Sequence, residues 1–106
     1  MAAYWIARAR LSGLNDAQKA GMARYREIVM GAVERHPFIT LSRSSRIEVL
    51  EGTTHFDQFF LHEFPSMEAA LAFYHSPEYQ EAATIRRACC DGELVIIDGV
   101  DTVTLG

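Results

Sequence analysis

The sequence lacks most of the features by which a function is usually read from a chain. Its 14 acidic residues outnumber its 10 lysines and arginines, giving a net charge of −4, so a nucleic-acid-binding protein with a basic patch is excluded. No apolar run is long enough to span a bilayer. The N-terminus reaches Arg8 too early for a signal peptide. We therefore expect a cytoplasmic protein that engages neither nucleic acid nor membrane.

The sequence also contains no recognisable catalytic motif. None of the four histidines lies at metal-ligand spacing from another histidine or a cysteine, so we predict no metal site. There is no glycine-rich phosphate loop and no readable nucleophile with a supporting base and acid. The only cysteines, Cys89 and Cys90, are adjacent and would form a disulfide only under strain. We interpret them as free thiols, with a vicinal redox switch or soft-metal site as the alternative.

What the sequence does contain is regular hydrophobic patterning. Its 106 residues are 49% hydrophobic and 23% charged, which predicts one globular domain over residues 1–106. Residues 4–11 alternate with a period of two, as a strand does. From a cap at Asn15 or Asp16 to about Arg35, apolar residues recur at helical spacing, and Pro37 ends that helix.

The second half of the sequence predicts further strands and a broken helix. We expect residues 38–51 to form one strand with a bulge or kink at the serines, and residues 59–64 another. Ser66 and Ser76 are typical helix caps, the second followed by proline. Asp91-Gly92 is expected to close the last helix before a strand over 93–98. The tail, residues 100–106, is predicted to be an extra edge strand or a swapped arm.

This order, β-α-β-β-α-β, predicts an α+β ferredoxin-like fold, with a four-stranded antiparallel sheet and the helices on one face. Residues 59–61 and 94–97 are apolar on both faces of their strands, and two helices can cover only one face. We therefore predict a homodimer through the open sheet face. A single copy covered by its own tail is the alternative.

The chain resembles the family called domain of unknown function 1330, within the dimeric α/β-barrel superfamily. The resemblance covers nearly the whole chain and is carried by Tyr4-Trp5-Ile6-Ala7, Glu48-Val49-Leu50-Glu51-Gly52, Glu63-Phe64-Pro65-Ser66, Ala69-Ala70-Leu71-Ala72-Phe73-Tyr74, Ser76-Pro77-Glu78-Tyr79 and Arg86. It implies the dimeric barrel and no particular activity. Arg43 stands where the family usually has an arginine, but the glycines that often follow it are replaced by Ser44-Ser45.

His62 and Glu63 are the candidate catalytic residues. As neighbours on a strand they point to opposite faces, so one of them should face a cavity between the sheets and the other should face the helices. Arg8 or Arg10 on the adjacent strand would be its partner, giving a general base with an orienting cation. A structural ion pair at the sheet edge is the alternative.

A second group of residues is predicted to bind the substrate. Tyr79 and Arg86 are seven residues apart and share a helix face if the helix is unbroken. Tyr79 is also a candidate core residue, and Ser76 is also a candidate cap. The remaining polar residues predicted to line the same opening are Arg8, Arg43, Glu51 and Asp98.

These candidates favour a small-metabolite binder with a pocket between sheet and helices. As in similar barrels, it would catalyse proton transfer or oxidation without a cofactor. Two alternatives remain open. The first is a non-catalytic ligand-binding or stress-related accessory protein, and the second is a haem-linked enzyme with His62 as the axial ligand.

Overall fold

A computed structural model describes residues 1–100. Four strands and three helices follow one another as β1 (Ala3–Ala9), α1 (Asp16–Gly31), β2 (Ile39–Ser44), β3 (Gln58–Phe64), α2 (Met67–Tyr74), α3 (Pro77–Cys89) and β4 (Gly92–Asp98). The strands form one sheet in the order β2-β3-β1-β4, and every neighbouring pair is antiparallel. The predicted ferredoxin-like fold is therefore confirmed. No helix within residues 1–100 is long and apolar enough to cross a membrane.

The helices begin where the sequence places their caps. Asn15 and Gln18 form a reciprocal capping box at the start of α1. Ser66 accepts a hydrogen bond from the Ala69 amide at the start of α2, and Ser76 accepts one from the Tyr79 amide at the start of α3. Each cap satisfies a backbone donor that the first helical turn leaves free.

Three predicted boundaries are wrong. Helix α1 ends at Gly31 rather than near Arg35, in line with the low helix propensity of glycine. Strand β2 ends at Ser44, with its irregularity between Thr40 and Ser42, so residues 45–57 form a connection rather than a strand. Gly92 does not close α3 but begins β4. The predicted edge strand or swapped arm at 100–106 lies, apart from Val100, outside the described residues.

One face of the sheet packs against the helices and forms the core. Trp5 lies at its centre, with its ring 5.0 Å from that of Tyr79, 5.4 Å from Phe73 and 5.6 Å from Phe64. Aromatic pairs at such separations contribute beyond the area they bury. Trp5 points to this face because β1 alternates, burying Ala3, Trp5 and Ala9.

Within residues 1–100, no helix lies over the other face of the sheet. Ile39, Val95 and Ile97 expose 59%, 55% and 49% of their surfaces there. The strand register places Ile97, Tyr4, Glu63 and Ile39 in one row across the sheet, and Val95, Ile6 and Leu61 in the next. We call this surface the open face.

Candidate functional site

A cavity of about 120 Å³ lies between the sheet and helices α1 and α3. All four strands contribute to it, mainly through residues on their helix-facing side. Its apolar lining comprises Trp5, Ala7, Met22, Val29, Phe38, Phe60 and Leu94. The cavity meets solvent at exposed lining residues, among them Arg26, Met30 and Arg43.

His62 is the imidazole in this lining. It lies on β3 as the register partner of Trp5 and of Thr40. Its Nδ1 is 3.0 Å from the Thr40 hydroxyl, and the Phe38 ring lies 4.8 Å from its own. Burial, and secondarily the positive charge of Arg43, lower the pKa of His62 below its usual value near 6.5. The ring is therefore neutral at pH 7, and Thr40 fixes its orientation.

Two phenols lie in the same lining. The hydroxyls of Tyr25, on α1, and Tyr79, on α3, are 3.3 Å apart. Burial is the main cause that raises the pKa of both, although the hydrogen bond from Tyr25 and the charge of Arg86 partly oppose the shift at Tyr79. Both groups are therefore protonated at neutral pH and can act as hydrogen-bond donors.

Arginine dominates the charge of the cavity. Arg26, Arg43 and Arg86 line it from α1, β2 and α3, while Arg8 and Glu93 border it at positions of β1 and β4 whose alternation turns their side chains towards the open face. Glu93 is bound to Arg8 in an ion pair. Within residues 1–100 the other three arginines have no carboxylate partner. A molecule of net charge −4 thus has a cavity that favours anions or electron-rich oxygens.

The position of Arg86 depends on Gly92. A Cβ atom at position 92 would lie 2.7 Å from Nη1 of Arg86 and 3.2 Å from the backbone oxygen of Arg8. A side chain there would displace the guanidinium, since a separation below 3.0 Å is a clash. Gly92 is therefore the residue that lets Arg86 lie across the start of β4.

Five of the nine predicted site residues line the cavity. They are Arg8, Arg43, His62, Tyr79 and Arg86. Helix α3 is continuous from Pro77 to Cys89, so Tyr79 and Arg86 lie on the same face of the helix. Tyr79 is at once a core residue, only 3% exposed, and part of the cavity wall.

The other four predicted site residues lie elsewhere. Asp98 is exposed at the end of β4. Glu63 points to the open face, because it follows His62 on an alternating strand. Glu51 is exposed in the connection before β3, next to Gly52, whose φ of +77° forms a turn. Ser76 is buried at the start of α3, where its hydroxyl donates to the Phe73 carbonyl and accepts from the Tyr79 amide. Its role is that of a cap.

The expected pairing of His62 or Glu63 with an arginine of β1 is also absent from the described residues. Arg8 is the register partner of Phe59, four positions along β3 from Glu63, or about 13 Å at the rise of a strand. Arg8 instead binds Glu93 across the sheet, and Arg10 donates to the backbone carbonyl of His55.

Thr40, Tyr25 and Phe60 also line the cavity, although the sequence pattern did not predict them as site residues. Tyr25 was visible in the apolar stripe of α1, but the stripe alone cannot show which residue meets Tyr79. Thr40 becomes the partner of His62 only through the β2–β3 register. A hydroxyl opposite a histidine on paired strands is a signal that requires the register to be known.

A haem group does not fit this site. The cavity volume of about 120 Å³ is well below the range of roughly 300–1,000 Å³ common for drug-sized ligands, and a macrocycle is larger still. In residues 1–100 no three histidine, cysteine or acidic side chains converge to hold a metal ion. Cys89 and Cys90 are free thiols outside the cavity.

Solved structures share the fold. RPA0582, a protein of unknown function from Rhodopseudomonas palustris, superposes with a TM-score of 0.74 at 21% identity, covering 95% of this chain and 84% of that one. A dimeric ferredoxin-like protein of unknown function from Jannaschia sp. CCS1 gives 0.71 at 16% identity, covering 93% and 100%. SnoaB, a cofactor-independent oxygenase from Streptomyces nogalater, gives 0.58 at 15% identity, covering 96% of each chain.

At the level of sequence, one family model matches the chain. The family model described as "Domain of unknown function (DUF1330)" matches residues 2–100. None of the curated proteins compared with the chain matches it.

Proposed function

The chain belongs to the family described as a domain of unknown function, DUF1330, and from that premise we propose that it binds a small, planar organic molecule bearing a carbonyl or carboxylate group. One observation carries this proposal. A single apolar cavity collects a neutral imidazole, two protonated phenols and three arginines that have no carboxylate partner within residues 1–100. Apolar walls with a few convergent polar groups are the usual composition of a ligand site.

The size of the cavity supports a ligand with one ring. A closed cavity of about 150 Å³ holds benzene in a protein interior. This cavity is smaller, at about 120 Å³, but it opens to solvent, so part of a one-ring ligand would lie in its mouth. A ring would lie against Trp5, Phe60 and Leu94. A charged group would extend towards the mouth, where Arg26 and Arg43 are exposed.

The chemistry proposed for this site is proton transfer or oxidation without a cofactor. His62 is the general base, because its lowered pKa leaves it neutral and able to accept a proton. The occurrence of the same fold in SnoaB, a cofactor-independent oxygenase, is compatible with this assignment. A non-catalytic ligand-binding protein is the second candidate, favoured by the small volume and by the largely apolar lining. Turnover of a bound ligand distinguishes the two.

The binding proposal is tested with the intrinsic fluorescence of Trp5, the only tryptophan of the chain and a wall of the cavity. We expect benzoate to change this fluorescence saturably, and benzyl alcohol to bind more weakly. Arg43→Gln should weaken benzoate binding about tenfold, since bonds to charged groups contribute about 1.5–3 kcal/mol.

The matched control is Arg46→Gln, which changes an exposed arginine three residues away, outside the cavity. It should leave benzoate binding unchanged. The proposed site would be wrong if neither compound changed the Trp5 fluorescence. It would also be wrong if Arg43→Gln and Arg46→Gln weakened benzoate binding equally.

We further propose that two copies associate through their open faces. Ile39, Val95 and Ile97 expose about half or more of their surface there, in rows continuous with Tyr4, Ile6 and Leu61. Monomeric proteins rarely leave so continuous an apolar patch in water. The description of the Jannaschia protein as dimeric supports the same assignment.

The oligomeric state at micromolar concentration, measured by sedimentation, tests this association. The wild-type chain should sediment as a dimer and Val95→Glu as a monomer, because the substitution buries an unpaired charge between the two sheets. Leu71→Glu, a change of similar exposure on helix α2, should remain dimeric. A wild-type monomer at that concentration would contradict the proposal.

A further inference from the structure

The polar groups of the cavity have hydrogen-bonding capacity that the chain does not use. Nδ1 of the His62 imidazole forms a hydrogen bond with the Thr40 hydroxyl, and within residues 1–100 Nε2 has no hydrogen-bond partner. The hydroxyls of Tyr25 and Tyr79 carry two hydrogens but share one contact, so one hydrogen has no acceptor among the described residues. When Nδ1–H of His62 donates to the Thr40 hydroxyl, Nε2 is the unprotonated nitrogen, and in that tautomer the cavity offers one acceptor and one donor.

Both groups are neighbours of Trp5. His62 is the cross-strand partner of Trp5, and the Tyr79 ring meets the Trp5 ring edge-on at 5.0 Å. Both line the same cavity of about 120 Å³. One small molecule lying against Trp5 can therefore contact the imidazole with one atom and a phenol with another.

Resting on the ligand site proposed above, we propose that the cavity catalyses keto–enol tautomerisation of a small aromatic 2-oxo acid. Nε2 of His62 takes a proton from the carbon beside the ketone. The electron pair of that C–H bond forms the carbon–carbon double bond, and the carbonyl π pair moves to oxygen. That oxygen receives a proton from the Tyr25–Tyr79 pair. Solvent then takes the proton from His62 and restores the one lost by the tyrosine, so the net change is an isomerisation without oxidant or cofactor.

The electrostatics of the cavity favour the enolate-like transition state. Burial keeps the pKa of His62 low enough for the ring to be a free base, and keeps the phenols protonated. The positive charge of Arg86 acts on both tyrosines, so it lies near the oxygen that gains negative charge. The carboxylate of a 2-oxo acid is matched by the arginines of the lining.

The contact between the two phenols suits a donor that must turn towards a ligand. At 3.3 Å it is longer than an optimal O–H···O bond, about 2.7–2.8 Å. Little is therefore lost when one hydroxyl leaves the other. Because either oxygen can donate, removal of one hydroxyl leaves the other in place.

The test uses phenylpyruvate, with its keto–enol interconversion followed by ultraviolet absorbance. We expect the wild-type protein to accelerate the interconversion, and His62→Gln to lower kcat at least about 100-fold, the lower bound for general acid–base catalysis. Tyr25→Phe with Tyr79→Phe in one chain should lower kcat by a similar factor. Each single phenylalanine variant should lose less than the double variant, because one phenol remains.

The matched controls are His75→Gln and Tyr74→Phe, which make the same chemical changes outside the cavity. Both should keep the wild-type rate. Full activity in His62→Gln, or in the double tyrosine variant, would overturn the assignment.

These experiments test the proposed binding site and the proposed tautomerisation separately. If phenylpyruvate changes Trp5 fluorescence saturably but is not tautomerised, this inference is wrong and the proposed binding site stands. If phenylpyruvate and benzoate both leave the fluorescence unchanged, the two proposals fall together.

Discussion

The two faces of the sheet are equally apolar in sequence but differ in what covers them. Strand β3 carries three phenylalanines: Phe64 is buried under the helices, Phe60 lines the cavity, and Phe59 lies on the open face. The helix face is completed by the chain itself, through α1, α2 and α3. The open face leaves Ile39, Val95 and Ile97 substantially exposed. The residues buried within the chain and those of the proposed association surface are thus of the same types, at alternate positions of the strands.

The same alternation separates the two polar residues at the end of β3. His62 faces the cavity, where burial and Arg43 set its pKa, whereas Glu63 lies between Tyr4 and Ile39 on the open face. Two adjacent positions of the strand therefore place their side chains in different sites, one in the proposed ligand site and the other in the proposed interface. Substitutions that compare the two faces are the most direct way to test this division.

The largest effect is expected from truncating a helix-face phenylalanine. Phe64→Ala should lower the free energy of unfolding by about 3–5 kcal/mol, because it empties a fully buried site against Trp5 and Phe73. Urea unfolding followed by circular dichroism measures this loss. The loss should not depend on protein concentration, since the site is covered by the chain's own helices.

The matched change on the open face is Phe59→Ala. It should cost less in dilute solution, with a loss that grows as protein concentration rises, because a dimer is stabilised by mass action. Equal and concentration-independent losses in both variants would mean that the two faces are equivalent.

A smaller effect is expected where α3 presents Tyr79 to the cavity. Ser76→Ala removes a buried hydroxyl that donates to Phe73 at 2.7 Å and accepts from Tyr79 at 3.2 Å, so it should destabilise the protein by about 1–2 kcal/mol. It should also weaken benzoate binding, as Tyr79 loses its anchor. Thermal unfolding and Trp5 fluorescence measure the two effects.

Ser66→Ala is the control for the loss of a cap alone. Ser66 accepts from the Ala69 amide at 3.0 Å at the start of α2, outside the cavity. Stability should fall, but benzoate affinity should not. A loss of affinity in both variants would show that the helix caps affect the site only through overall stability.

Sequence alone predicted the elements because their signals are local. Alternation identified β1, and the serines that cap α2 and α3 fixed their first residues. The candidate site was recovered only in part because its partners are joined by register. Thr40 meets His62, and Glu93 meets Arg8, through strand pairings that no local pattern specifies. Strand β2 was overextended because the alternation of residues 47–51 resembles a strand, although the β2–β3 ladder ends at Ser44.

The pH dependence of stability reports on the helix face. Because the pKa of His62 is lowered in the folded protein, the unfolded chain binds a proton first as pH falls below about 6.5. The contribution of the neutral ring is therefore complete above pH 6.5 and is lost as pH falls through the folded pKa. Arg43 on β2 is the charged side chain that strengthens this shift, while β1 and β3 present Trp5 and Phe60.

His62→Gln should reduce this acid-side loss, measured as the difference between urea unfolding at pH 7.5 and at pH 5.5. His75→Gln, at an exposed histidine outside the cavity, should retain the wild-type difference. An unchanged difference in His62→Gln would mean that the ring is solvated as fully as in the unfolded chain.

The smallest effect is expected from the ion pair at the end of the sheet, and its size depends on whether the open face is covered. Arg8 and Glu93 are register partners beside Phe59, and the Arg8 guanidinium also lies 4.7 Å from the centre of the Phe56 ring. In a single copy both side chains are largely exposed, so Glu93→Gln should lower stability by less than about 1 kcal/mol, and by less still in 1 M salt.

If a second copy covers the strand positions of Arg8 and Glu93, water can no longer screen the ion pair. The loss should then increase with protein concentration and become insensitive to salt. Glu27→Gln, at the exposed pair with Arg24 on α1, should show the small, salt-sensitive value at every concentration. Identical behaviour of the two pairs would place both in solvent and argue against association through the open face.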